Sequence, residues 1–169
     1  WVATSTQPTT FREDEILFRA TSPGGTSLAS DADYIPASTA TGVVTAGGLG
    51  QFTAVDLRKI LTGKVASVNP IIGEVEEGLS GSSSRKDLET MFQLIYLDFT
   101  APRFDPAAYA AFKAQADQYL ANRGSDPDEV FSDTVSWTMS SHSVRARPLT
   151  AATFAEVNPE KALAFYKDR

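Results

Sequence analysis

His142 is the one histidine in this 169-residue chain, and there is no cysteine, so the side chains that most often hold a catalytic metal are nearly absent. A zinc hydrolase needs three protein ligands, an open position for water and a carboxylate to take the proton. The H-E-x-x-H motif and its reverse, H-x-x-E-H, meet that need by setting two imidazoles one helical turn apart. One histidine cannot supply two imidazoles. His142, within Ser140-Ser141-His142-Ser143, is expected at the C-terminal end of a helix over 126–142, where a partly charged ring interacts favourably with the helix dipole. A serine nucleophile would have this ring as its only imidazole base, and no G-x-S-x-G elbow occurs.

Other groupings carry weaker signals. Gly47-Gly48-Leu49-Gly50 invites a phosphate-loop reading, but it follows a helix pattern and lacks both the Lys-Ser/Thr of a P-loop and a full G-x-G-x-x-G, so it reads as a helix stop and tight turn. Glu74, Glu76 and Glu77 could form a calcium or acid/base cluster. Strand alternation, however, puts Glu74 and Glu76 on one face and Glu77 on the other, as in a solvated strand. Pro23-Gly24-Gly25-Thr26 has two readings: a structural turn, or a strand end whose glycines let a peptide backbone approach closely. Arg145, Arg147 and Tyr166 could stabilise an oxyanion, although such residues more often serve surface and core.

Composition narrows the partners. Forty-two per cent apolar residues, ten Phe, two Trp and 21% charged residues describe a globular chain with a sizeable core. A net charge of −6 and a pI near 4.8 argue against a nucleic-acid partner, because phosphate binding needs clustered basic residues and the 15 present are dispersed. No run of about 20 apolar residues is available to cross a bilayer, so no membrane partner is expected. Trp1 to Ser5 lacks the basic and apolar regions of an export signal. Without cysteine there are no disulfides, and composition leaves the compartment open.

The elements that must position these groups fall into one α+β unit over 1–169. Val2, Thr4 and Thr6 suggest a first strand and Ile16-Leu17-Phe18 a second, joined by a loop from Thr9 to Asp14. The small-residue stretch ending at Gly47-Gly48 reads as a closely packed helix. Thr53 is an N-cap candidate for a short helix with Leu57, Ile60 and Leu61, stopped at Gly63. A second hairpin follows: Lys64 to Val68, a break or bend at Pro70-Ile71-Ile72-Gly73, then Glu74 to Ser80. Gly81 to Ser84 is expected to turn into the best core helix, from about Arg85, with Leu88, Met91, Phe92, Ile95 and Phe99 on a broad apolar face widened by Leu94 and Leu97.

In the second half Asp105-Pro106, Asp126-Pro127 and Asn158-Pro159 each place a capping residue before a proline at the first helical position. Tyr109, Phe112, Ala116 and Tyr119 keep helical spacing in the first of these helices, which Asn122-Arg123-Gly124 ends. Val130, Phe131, Val135 and Met139 keep it in the second, whose Asp126 and Glu129 have capping-box spacing. A short helix is expected at Thr150, including Phe154 and Val157. The last helix, with Leu163, Phe165 and Tyr166, runs to Arg169 without a polar tail, which suggests a segment of a longer polypeptide.

Several of these runs resemble the pitrilysin/insulinase family of zinc metallopeptidases, in its bacterial four-domain branch. They are Thr9-Thr10-Phe11, Ser22 to Leu28, Gly47 to Phe52 with Asp56-Leu57, Glu77 to Ser82 with Asp87 to Thr90, Leu94 to Leu97, Phe99 to Asp105, and Ala162 to Tyr166. The likeness covers nearly the whole chain and is to the third domain, the opening of the non-catalytic half. It implies a two-layer sandwich of a mainly antiparallel sheet packed by helices, with two halves of the enzyme closing around a peptide chamber.

In the zinc-binding half of such enzymes the inverted motif lies on the helix after the first hairpin. The matching stretch here, about Ala40 to Leu57, contains no histidine and offers Gly48, Gln51 and Asp56, so no metal residue carries over, and no catalytic residue does either. The resemblance therefore implies zinc in the parent enzyme and none in this segment. The implied partners are the other half of the same polypeptide and a peptide or unfolded protein substrate, in a periplasmic or secreted setting. The segment would form part of the chamber wall, with Pro23, Gly24 and Gly25 as candidate peptide contacts. A different class of function shares this fold: a non-enzymatic peptide-binding or scaffold subunit.

Overall fold

Four strands and seven helices, in the computed structural model that describes residues 3–8 and 14–169, alternate as two hairpins each followed by helices. Strands β1 (Ala3–Pro8) and β2 (Glu15–Pro23) pair antiparallel, as do β3 (Ala66–Ile72) and β4 (Glu76–Ser84). β2 also pairs antiparallel with β4, giving the sheet order β1-β2-β4-β3, with Phe18 opposite Gly81 and Ala20 opposite Leu79. Val2 and residues 9–13 of the expected loop, including Thr9-Thr10-Phe11, lie outside the described residues.

One face of the sheet is closed by helices, which makes this the two-layer α+β sandwich expected. Phe18, Ala20 and Leu79 point to Met91 on α3 (Leu88–Thr100) and form one core cluster. The opposite face carries Leu17, Arg19, Ser67, Asn69, Ser80 and Ser82, all exposed or half-buried, as period-two alternation requires. Met91 is fully buried.

Two expectations about the second hairpin change. Pro70 does not end its strand: β3 runs through it to Ile72, pairing Pro70 with Leu79. The order places β3 at a sheet edge, where a residue without an N–H is tolerated. Gly81 to Ser84 is strand rather than turn. Its backbone is satisfied from both sides by β2 and β3, and Ser83 is fully buried. Ser84 still acts as a cap: its side chain accepts from the Asp87 N–H and donates to Asp87 Oδ2 over 2.8 Å, while Asp87 Oδ2 also takes the Val65 N–H at 2.9 Å.

α1 (Tyr34–Gly47) is wrapped by its neighbours, so small residues replace an amphipathic pattern. Ala37, Ala40, Val43 and Val44 are each at most 1% exposed. Gly48 ends it at φ 88°, a conformation glycine reaches without steric cost. Thr53 and Asp56 form a reciprocal capping box for α2 (Ala54–Ile60). Around α1 pack α4 (Pro106–Arg123) through Leu120, α6 (Ala151–Phe154) through Phe154, and α7 (Pro159–Asp168) through Ala162. All three Asp/Asn-Pro starts hold, each side chain accepting a first-turn N–H. For α5 (Pro127–Met139) the acceptor is Asp126 and the donor is the Asp128 N–H, in place of the expected box with Glu129.

Two apolar faces differ from their sequence reading. On α3 the buried residues are Thr90, Met91, Leu94 and Asp98, whereas Phe92 and Phe99 are 49% and 64% exposed. α5 buries no residue, and Val130, Phe131, Val135 and Met139 are all exposed. A helical period shows that a stripe exists; which neighbour covers it is decided by tertiary packing.

Candidate functional site

At the end of β2 the chain is stitched to its own β3–β4 turn. The N–H of Gly24 donates to the Val75 carbonyl over 3.0 Å, that of Thr26 to Gly73 over 2.8 Å, and that of Ser27 to Glu74 over 2.7 Å. Gly25 donates to Glu77 Oε2 at 2.8 Å. Gly25 has φ +68°, and a Cβ there would lie 2.3 Å from the Gly73 carbonyl oxygen, so both its conformation and its surroundings require glycine. The close backbone approach these glycines admit is made by residues 73–76. Gly24 and Gly25 are buried, and exposed Pro23 stands with exposed Leu28 and Val75 at this end of the sheet.

The three glutamates are dispersed. Glu74 sits in the turn outside β4, Glu76 pairs with Arg19 at 3.2 Å on the open face, and Glu77 is the acceptor for Gly25. His142 is exposed in a left-handed turn at φ 58°, after α5 has already ended at Met139. Its N–H donates to the Trp137 carbonyl and its ring meets the Trp137 ring edge-on at 4.8 Å, a local contact within one helix end.

Arg145 is a structural clamp. It donates to the carbonyls of Thr26 at 2.8 Å and Ala29 at 2.7 Å, pairs with Asp31 at 3.0 Å, and lies 5.2 Å over the Tyr34 ring. Arg147 pairs with Glu156 at 2.7 Å. Neither arginine meets Tyr166, so these three residues do not form one oxyanion site.

Tyr166 is held elsewhere, in a cleft of about 270 Å³ between the sheet and the ends of two helices. Its walls come from the C-terminal ends of β2 and β3, the start of β4, and the last turns of α3 and α7. Tyr166 Oη donates to Asp98 Oδ1 at 3.4 Å. Asp98 is 5% exposed, and burial pushes its carboxyl up to about 6, against a smaller opposing effect of the Tyr166 bond. Burial, with the neighbouring Asp98 charge, also raises the Tyr166 phenol. Sequence reasoning passed over Asp98. The available signal was a carboxylate seven residues after Met91 and four after Leu94, on the stripe that the helix buries.

Among the described residues no group of three or more His, Cys, Asp or Glu side chains is placed to hold a metal ion. The lone imidazole of His142 and the carboxylate of Asp98 belong to different parts of the fold. The side chains of the described residues thus do not fit a hydrolytic zinc, and no chemical step is assigned to one.

The architecture is shared with peptidases. Over 92% of its length the chain superposes on 17% of the periplasmic protease PqqL from Escherichia coli, with a TM-score of 0.71 and 19% identity. The same share superposes on 17% of the ferredoxin protease FusC, crystallised as a variant with Arabidopsis ferredoxin, at TM-score 0.72 and 17% identity. A peptidase M16 inactive domain from Pseudomonas fluorescens matches over 97% of this chain and 43% of its own, at TM-score 0.73 and 14% identity. No protein-family model and no curated protein sequence matches the chain. The fold is that of the pitrilysin, or M16, peptidase domains. This chain spans under half the length of each of these structures.

Among the described residues no helix is long and apolar enough to cross a membrane.

Proposed function

We propose that residues 1–169 are a non-catalytic domain of a zinc-dependent metallopeptidase of the pitrilysin/insulinase type, forming part of the wall of a peptide-enclosing chamber. The observation that carries this reading is the coincidence of an M16 domain fold with a chain that owns a single histidine. A zinc-activated water would have to be generated by another half of the parent polypeptide, one that would supply the two imidazoles and the glutamate. This domain would hold extended substrate by shape and polar contact. The end of the sheet suits that role, since β3 is an edge strand, Pro23 is exposed beside the Gly24-Gly25 turn, and the cleft beside Asp98 opens there. Peptide contact at the Pro23-Gly24-Gly25 turn would be made by the exposed surface of Pro23, with buried Gly24 and Gly25 setting the shape beneath it, because their N–H groups are already engaged and proline has none. A periplasmic or secreted location accords with the periplasmic setting of PqqL.

The test is hydrolysis. The purified chain, incubated with an unfolded polypeptide and zinc, is expected to leave it intact; cleavage abolished by a chelator would refute the assignment. A non-enzymatic peptide-binding or scaffold subunit of the same fold is the second reading, and the likeness to an inactive M16 domain from Pseudomonas fluorescens accords with both. An H-x-x-E-H motif in the same coding sequence supports the first reading, and its absence there and in neighbouring frames supports the second.

A further inference from the structure

We infer that the cleft between the sheet end and the last turns of α3 and α7 receives a basic side chain, lysine or arginine, of a polypeptide lying against the domain, with the Asp98 carboxylate as its counter-charge.

Size is the first argument. At about 270 Å³ the cleft lies at the lower margin of small-molecule sites, roughly 300–1,000 Å³, and has room for one extended side chain. Its walls include Ile71, Phe99 and Pro102, apolar surface for an aliphatic stem that carries its charge at the tip.

Charge is the second. Asp98 is the most buried ionisable group lining the cleft, and it has no cationic partner among the described residues. Its donor is the Tyr166 phenol at 3.4 Å, long for an O–H···O bond. A buried carboxylate in this condition gains from an incoming cation. The last turns of α3 and α7 both contribute lining residues, and helix C-termini carry partial negative charge that favours cations.

The remaining charged groups do not reverse this. Glu77 is acidic and engaged by Gly25. Lys167 and Arg169 also line the cleft: Lys167 is exposed, and Arg169 pairs with Asp168 and lies over the Phe165 ring with its Nε unpartnered, and neither is bonded to Asp98. An anionic ligand entering the cleft would meet Asp98, the most buried of its four charged groups. Phe99, exposed on the outer flank of α3, continues the apolar surface out of the cleft.

This inference rests on the peptide-holding role proposed above, and its test is chosen to fail separately. Blocked single residues, Nα-acetyl-lysine N-methylamide and its norleucine counterpart, are titrated into ¹⁵N-labelled chain near pH 7.5, followed by amide chemical shifts. Lysine is expected to bind at least about fivefold more tightly than norleucine, since the two differ by one charge-assisted contact, with shifts centred on Ile71, Gly78 and Phe99. Asp98→Asn, which keeps the shape and an acceptor for Tyr166, should bring the two probes to within about twofold. Should that variant not fold, lowering the pH of the native chain to about 5, which protonates Asp98, is expected to weaken lysine and leave norleucine unchanged. Equal binding of the two probes by the native chain, a preference that survives in Asp98→Asn, or shifts centred elsewhere would overturn the inference. If unfolded polypeptide still binds in any of those cases, the broader functional reading stands without it.

Discussion

Asp98 and Tyr166 join the last turns of α3 and α7 through a single hydrogen bond, 3.4 Å from phenol oxygen to carboxylate, across 68 residues of sequence. Burial holds the Asp98 carboxyl near 6, above its ordinary 3.8, so the folded chain binds this proton more tightly than the unfolded chain does. The contribution of Asp98 to stability is therefore greatest below pH 4 and falls as pH rises from about 4 to about 6, by on the order of 1–2 kcal/mol after allowance for residual solvent.

Asp33, Asp56, Asp87, Asp105 and Asp133 behave oppositely, each lowered by hydrogen bonds to its charged form. Their contributions are lost as pH falls through the acid range. Denaturant melts from pH 3 to 8 should show stability rising first and then sagging between about 4 and 6, with the sag removed in Asp98→Asn. A native-like sag in that variant would contradict the burial assigned to Asp98.

Gly25 links β2 to the turn that follows β3. Gly25→Ala places a methyl 2.3 Å from the Gly73 carbonyl oxygen at φ +68°, and chemical denaturation should show a loss of about 2–4 kcal/mol. A loss below about 0.5 kcal/mol would mean that the turn relaxes freely.

Arg145 ties the 26–31 loop to the far end of the chain by two carbonyl bonds and one ion pair. Arg145→Met is expected to cost about 2 kcal/mol, reduced from the sum of its bonds because the side chain is partly exposed. Hydrogen exchange in residues 26–31 should speed up. Arg145→Lys should recover little, since an ammonium cannot span the two carbonyls as the guanidinium fork does.

Met91 and Phe131 both lie in helices with apolar periodicity, yet one is fully buried and the other 72% exposed. Met91→Ala should cost about 2–5 kcal/mol and Phe131→Ala less than about 0.5. Comparable losses would contradict the orientation of α5.

What the sequence could reveal follows the range of the interactions involved. Asp105-Pro106, Asp126-Pro127 and Asn158-Pro159 mark helix starts by bonds within two or three residues, and Thr53 with Asp56 does the same, so these were readable. Gly81 to Ser84 became strand because β2 and β3 flank it on both sides, which no local pattern reveals. Phe92 and Phe99 kept helical spacing with Met91, but the sheet takes up the Met91 side and leaves those rings at the flank. The site is the extreme case. Asp98 acquires its character from α7 and the sheet end, whereas the Pro23-Gly24-Gly25 turn announced itself by composition and its partner, residues 73–77, did not.

The measurement that bears most directly on the functional proposal is one incubation with two readouts. An unfolded, lysine-containing polypeptide, mixed with the chain and zinc, is followed by fluorescence anisotropy for binding and by mass spectrometry for cleavage, with and without chelator. The predicted result is saturable binding of a polypeptide whose mass never changes. Fragments that appear with zinc and vanish with chelator, or no binding at any concentration reached, would contradict a peptide-holding, non-catalytic domain.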